Sequence, residues 1–263
     1  TATIFTSRKV CKQLSLLKNR SAPGPDQISG KFLKAARHSL CNILCFLFQL
    51  SLTECFVPEQ WKQANIAPVP KVKVPAEPSD YRPIALTSTL GKVFEALLSK
   101  HIIEITRKTW QDDTQYGFLP GRNTADAIVQ VIDDWSSAKD KKQAIHATFF
   151  DFSKAFDYVN HELLIIKLKL VLPPSITAWI SNWLRNRKQR VKIGDVTTEW
   201  KDVEAGVIQG SVLGPTLFII FIQSIAAKMP PHIKTLKYAD DILAYCLATL
   251  DLTQEAIDTI ANW

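Results

Sequence analysis

The sequence has no CxxC pair, and its five cysteines, Cys11, Cys41, Cys45, Cys55 and Cys246, are odd in number. That pattern argues against a disulfide framework and a paired-cysteine zinc ribbon. It fits a reduced, intracellular protein with ordinary core thiols. Cys41 and Cys45 stand four residues apart in an apolar helical stretch, which fits burial better than metal binding. His146 and His161 lack a second His or Cys at ligand spacing and read as structural. Residues 1–20 carry no apolar core followed by a small-residue cleavage site, so no secretory signal is expected. The longest apolar stretches, such as 212–222, fall short of a membrane span. No internal repeat, long linker or low-complexity tract is visible. Methionine occurs once, at 229, the chain starts at Thr1, and it stops at Trp263 inside a helical pattern. A piece of a longer protein is expected.

What is present is a core-forming composition with a basic surplus. Of 263 residues 46% are hydrophobic, and mean hydropathy is -0.00. One large domain or two joined ones fit this length. Lys and Arg number 32 against 25 acids, a net charge of +7, which favours a polyanionic partner.

Helical spacing runs over 1–20 and, after the turn cluster SAPGPDQISG, over 31–55. The proline-rich segment 61–86 reads as short strands and an extended loop. Helix returns over 88–109. Thr124 is placed to cap a helix over 125–138. AIHATFFDF, 144–152, reads as a buried strand, followed by helix over roughly 160–188. QRVKIGDVTTEWKDV, 189–203, predicts a hairpin about Gly194-Asp195. A glycine-rich loop, 206–215, feeds an apolar helix over 216–227. TLKYADDILAY, 235–245, predicts two short strands joined at Asp240 and Asp241, and Asp251 is expected to cap a last helix.

The chemistry lies in three carboxylates set in two apolar strands. Asp151 ends one, and Asp240 and Asp241 lie at the turn of the hairpin. Carboxylates buried there would cost several kcal/mol each or shift upward in pKa. Neither strand supplies a cation beside them, and a divalent metal resolves the conflict. Clustered hard oxygens suit Mg²⁺. Two such ions can clamp the attacking and leaving oxygens of a phosphoryl transfer. Alone, Asp151 would be an ordinary strand end, and an Asp-Asp pair a solvated turn. RNRKQR, 185–190, places Arg185, Arg187, Lys188 and Arg190 in one short run. It reads either as a solvated helix end or as a phosphate-tracking patch.

TFFDFSKAFDYVNHELL (148–164), AGVIQGSVLGPTLFIIFI (205–222) and KYADDILAY (237–245) resemble the reverse transcriptase domain of non-LTR, LINE-type retrotransposons. SAPGPDQI, IAPVPKVK, DYRPIALTSTLGKVFEALL and QYGFLPGRNTADAI resemble the same family's fingers segments, in the same order. The resemblance covers nearly the whole chain, from about residue 20 to 263.

The resemblance implies that Asp151, Asp240 and Asp241, with the backbone of Phe152, hold two Mg²⁺ ions, with Mn²⁺ as a substitute. Phe156 matches the aromatic that crowds the sugar 2′ position and favours dNTPs. The turn from Phe152 to Phe156 supplies backbone amides suited to phosphate oxygens. Gln209 and Gly210 match the loop lining the nucleotide and template-base site, with Ile208 where the family usually has Pro. Lys71, or Lys73 in its place, and Arg82 match triphosphate-gripping residues. Arg122 matches a template-strand contact. Trp61 and Trp200 are the tryptophans to examine as base platforms.

The fold so implied is α+β, a right-hand polymerase with fingers over 1–143 and palm over 144–263. The palm is a small antiparallel sheet backed by helices, the chain is truncated after Tyr-Ala-Asp-Asp, and the thumb is absent. The implied reaction is RNA-directed DNA synthesis, with an RNA template, a DNA primer and dNTPs as partners and no membrane. The rival reading is a non-catalytic nucleic-acid-binding remnant. Nucleus and cytoplasm both stay open, as does oligomeric state.

Overall fold

The structure is a computed structural model that describes residues 4–109, 112–247 and 253–263. In chain order the first elements are α1 (Ser7–Ser15), α2 (Gly30–Ala35), α3 (Arg37–Thr53), α4 (Glu59–Lys62), β1 (Gln63–Pro70), β2 (Tyr81–Thr87), α5 (Thr89–Thr109) and α6 (Thr124–Asp140). There follow β3 (Ile145–Phe150), α7 (His161–Val171), α8 (Pro174–Leu184), β4 (Arg187–Ile193), β5 (Val196–Thr197) and β6 (Lys201–Val203). The chain closes with α9 (Gly214–Ile222), α10 (Ser224–Lys228), β7 (Lys234–Tyr238), β8 (Asp241–Leu247) and α11 (Thr253–Ala261). Among the described residues no helix is long and apolar enough to cross a membrane.

Two compact units result, Thr1–Thr109 with Phe156–Thr216, and Trp110–Ala155 with Leu217–Trp263. They are discontinuous because β4 pairs in parallel with β1, which returns the chain to the first unit. A linear division at 143/144 therefore does not coincide with them.

The first unit is built on aromatic packing. Phe94 stacks on Trp179 at 4.4 Å between ring centroids, and Phe48 and Trp61 meet Phe94 at 5.3 and 5.6 Å. Trp61 is thus a core residue, not a base platform. Beside this core lies a sheet in the order β2-β1-β4-β5, with β6 on β4. Gly194 sits in the hairpin turn at φ +59, as its neighbours' sequence predicts. The long helix expected over 160–188 is two, split at Pro173-Pro174. Proline lacks the N–H and clashes with the preceding turn, so it starts α8 and cannot continue α7.

The second unit holds an antiparallel sheet in the order β3-β8-β7. β8 is buried over Ile242–Cys246, whereas β3 alternates exposed and half-buried. The buried strand expected at 144–152 is an edge strand, because among the described residues only β8 pairs with it. Asn123, one residue before the expected cap, caps α6 by accepting from the Asp126 N–H at 3.0 Å. The capping role expected of Asp251 falls outside the described residues.

Candidate active site

The second unit brings the three carboxylates to one end of its sheet. The β7–β8 ladder closes at Tyr238 opposite Asp241, leaving Ala239 and Asp240 as a two-residue turn. The β3–β8 ladder runs to Phe150 opposite Ile242, and Asp151 is the next residue of the chain. Asp151 and Asp241 are exposed and Asp240 half-buried, which corrects the expectation of buried carboxylates. All three lie at or beyond the last rungs, where solvent reaches them, while β8 behind them is buried over Ile242–Cys246. Burial pushes Asp240 above the ordinary carboxylate range, and the charges of Asp241 and Asp151 push the same way against its own backbone N–H. The nearest strand cation, Lys237, is spent elsewhere, at 2.6 Å from Asp112. Among the described residues no three His, Cys, Asp or Glu side chains close into a group that could hold a metal ion. The donors are nonetheless hard oxygens whose mutual repulsion a divalent cation would relieve, so the set fits Mg²⁺ in chemistry. Half-buried Phe152 follows Asp151 directly.

The first unit gathers a second set. The Phe156 carbonyl accepts from the Val207 N–H at 2.8 Å, and the Gln209 carbonyl accepts from Ala85 at 2.8 Å. The Gln209–Gly210 loop is therefore tied to strand β2. Gly210 has φ +103, and a Cβ there would stand 2.8 Å from the Ala85 carbonyl oxygen, so only glycine fits. Ile208 packs against Ala64, Ile66 and Ala85, and its carbonyl accepts from Ser211 N–H and Oγ at 3.1 and 2.9 Å. The loop thus has its own bracing without Pro at 208. Gln209 Oε1 is buried with no hydrogen-bond partner among the described residues, although a groove of about 460 Å³ opens beside it. Thr87 Oγ1, Trp135 Nε1 and Thr235 Oγ1 share that state, but Gln209 is the one of these residues that lines the groove. Arg82 is exposed on β2, paired in register with Val69. Lys71 lies just beyond the last β1–β2 pair, its Nζ donating to the Ser79 carbonyl at 3.0 Å.

Residues 69–263 match the family model described as Reverse transcriptase (RNA-dependent DNA polymerase). The chain belongs to the reverse transcriptase family. It is 31% identical, over 97% of its length, to the Probable RNA-directed DNA polymerase from transposon BS of Drosophila melanogaster. It is 29% identical, over 98% of its length, to the RNA-directed DNA polymerase from mobile element jockey of the same species. The Putative 115 kDa protein in type-1 retrotransposable element R1DM, also of that species, is 30% identical over 86% of the chain. These relatives place it with the non-LTR retrotransposon enzymes. The chain spans 30% of the first two relatives and 22% of the third.

The basic residues of this chain divide into exposed and engaged. Arg185 and Lys188 are exposed and Arg190 half-buried. The run starts at Arg185, the C-cap of α8, and continues through Asn186 into β4. Arg187 departs from the expected patch, with only 2% of its surface exposed. Its guanidinium donates to the Trp183 and Trp61 carbonyls at 2.9 and 3.1 Å. Arg187 opens β4 and is that strand's one buried residue, so its charge serves the core. Burial lowers its pKa to about 10, against the opposing pull of Glu95. Arg190 lies 4.5 Å over the Trp200 ring and donates to Asn65 at 2.9 Å. Arg122, in the second unit, is held by Asp113 at 2.9 Å and lies over Tyr116.

The loop around Gln209–Gly210 is also held by a residue to which the sequence assigns no role. Glu95 on α5 is fully buried, and its Oε2 accepts from the Val212 and Leu213 N–H groups at 2.8 and 3.2 Å. Its Oε1 accepts from Trp183 Nε1 at 3.1 Å. It fastens the segment that follows Gln209–Gly210 to the aromatic core. A lone acid in the apolar run VFEALL was the available signal.

Proposed function

We propose that this chain is the polymerase part of a retroelement RNA-directed DNA polymerase, with the fingers and palm of a right-hand fold. The observation that carries this is three carboxylates at one end of a small antiparallel sheet, in a chain of the reverse transcriptase family. The reaction is attack of a primer 3′-OH on the α-phosphate of a dNTP, templated by RNA, with release of pyrophosphate.

Asp151, Asp240 and Asp241, with the Phe152 backbone, would hold two Mg²⁺ ions, which supply Lewis acidity at the 3′-OH and charge balance at the phosphates. Arg82 offers a fork for bidentate phosphate contact, and Lys71 a point charge that must first leave the Ser79 carbonyl. Phe156 crowds the sugar 2′ position. Gln209 has a free amide oxygen for the nucleotide, and Gly210 lets the backbone come close. Arg185, Lys188 and Arg190 form the phosphate-tracking patch, and Arg122 meets the template strand once released from Asp113.

Extension of oligo(dT) on poly(rA) with dTTP and Mg²⁺ tests this reading. Incorporation that vanishes in Asp240→Asn is the expected result. Template binding without incorporation would make the chain a non-catalytic, nucleic-acid-binding remnant.

A further inference from the structure

The Tyr-Ala-Asp-Asp turn contains a conformational oddity that its own sequence does not explain. Ala239, directly before Asp240, has φ +58. A left-handed backbone at a residue with a Cβ costs on the order of 1–2 kcal/mol and lasts only where the surroundings over-determine it.

The over-determination comes from residues 112–117 of the same unit. This segment runs along β7 as a partial extra strand. The Lys237 N–H donates to the Thr114 carbonyl at 2.7 Å, and the Tyr116 N–H to the Lys237 carbonyl at 2.8 Å. Between them Gln115 is wholly buried. Its Oε1 accepts from the Ala239 N–H at 3.0 Å and from the Gly117 N–H at 2.7 Å. Its Nε2 lies 3.4 Å from the Ala239 carbonyl, to which it donates. Two N–H donors face the oxygen, which settles the orientation of the amide. Gly117 completes the bracket: a Cβ there would lie 2.4 Å from the Ala239 nitrogen. One side-chain amide thus grips both the N–H and the C=O of the residue that launches Asp240.

We infer that Gln115 is a positioning residue that locks the Ala239 backbone and so aims the Asp240 and Asp241 carboxylates at their metal. This rests on the reading of those aspartates as metal ligands. Gln115 touches no reacting atom; its effect passes through the main chain of Ala239. It stands to the carboxylates as outer-shell partners stand to ligands elsewhere, where removal typically weakens metal binding 10- to 100-fold.

The test is Mn²⁺ affinity of the 263-residue chain by electron paramagnetic resonance, beside thermal melting and amide exchange at Ala239. Gln115→Met removes both hydrogen-bonding functions at similar volume. Gln115→Asn, too short to reach Ala239 but no larger than the native side chain, guards against a Met variant that does not fold. The expected result is a cooperative melt, faster exchange at Ala239, and Mn²⁺ bound at least about tenfold more weakly. Native Mn²⁺ affinity in the variants, while Asp240→Asn abolishes binding, would overturn the role of Gln115 and leave the metal reading standing. Binding indifferent to Asp240→Asn would overturn both. Loss of a cooperative melt in both Gln115 variants would make the residue a structural one and overturn the inference as well.

Discussion

Lys237 Nζ lies 2.6 Å from Asp112 Oδ2, and the two side chains are 0% and 7% exposed. A buried pair of this kind costs more to break than to remove whole, because one stranded charge stays desolvated. Lys237→Met is therefore expected to destabilise the chain by about 3–5 kcal/mol. Lys237→Met with Asp112→Asn should recover more than half of that. Asn at 112 can still accept from the Thr114 N–H and hydroxyl, which Asp112 binds at 3.1 and 2.6 Å. Urea unfolding of the single and double variants reads the difference.

Glu95 makes the stability of the chain depend on pH. Burial raises its pKa above the ordinary 4.5, opposed by the Val212 and Leu213 N–H groups, Arg187 and Trp183. The folded chain thus holds this proton more tightly than the unfolded chain. The stability so contributed is fully present below 4.5 and is lost as pH rises through the native pKa. Melting temperature followed from pH 4.5 upward should fall less steeply in Glu95→Gln than in the native chain. Glu95→Ala leaves three donors unanswered and should cost about 3–5 kcal/mol at neutral pH.

Phe156→Val opens the space proposed to exclude the ribose 2′-OH. Discrimination between dTTP and UTP, read as the ratio of kcat/KM, should fall about 10- to 200-fold, the range a single misfitting group commands. Melting should change little, because Phe156 is half-buried.

The basic patch has a salt signature. Each phosphate contact to single-stranded nucleic acid contributes about 0.7 to the slope of log affinity against log salt. Neutralising Arg185, Lys188 and Arg190 together should lower that slope by about 2 in fluorescence anisotropy with a labelled RNA. Arg187→Gln should instead act on stability, because its guanidinium serves core carbonyls.

How much of this was legible in the sequence depends on the range over which each decision is made. The hairpin at the aspartates, the Gly194 hairpin and the helix expected over 88–109 follow from local pattern and are present, with the first turn at Ala239–Asp240 and Asp241 already in β8. The burial of Arg187 is not local. RNRKQR reads as a charged surface, and only the parallel pairing of β4 with β1 turns one of its arginines toward Trp61. The exposure of Asp151 and Asp241 likewise follows from where the ladders end. Glu95 and Gln115 find their partners 117 and 124 residues away, so the chain around them does not show what they bind.

The most direct test of the account is RNA-templated dTTP incorporation as a function of Mg²⁺, in the native chain and in Asp151→Asn, Asp240→Asn and Asp241→Asn, with RNA affinity measured on the same samples. The account predicts metal-dependent incorporation in the native chain, its loss in each variant, and RNA affinity no weaker in any of them. Incorporation that survives in the variants, or RNA binding with no incorporation in the native chain, would contradict it.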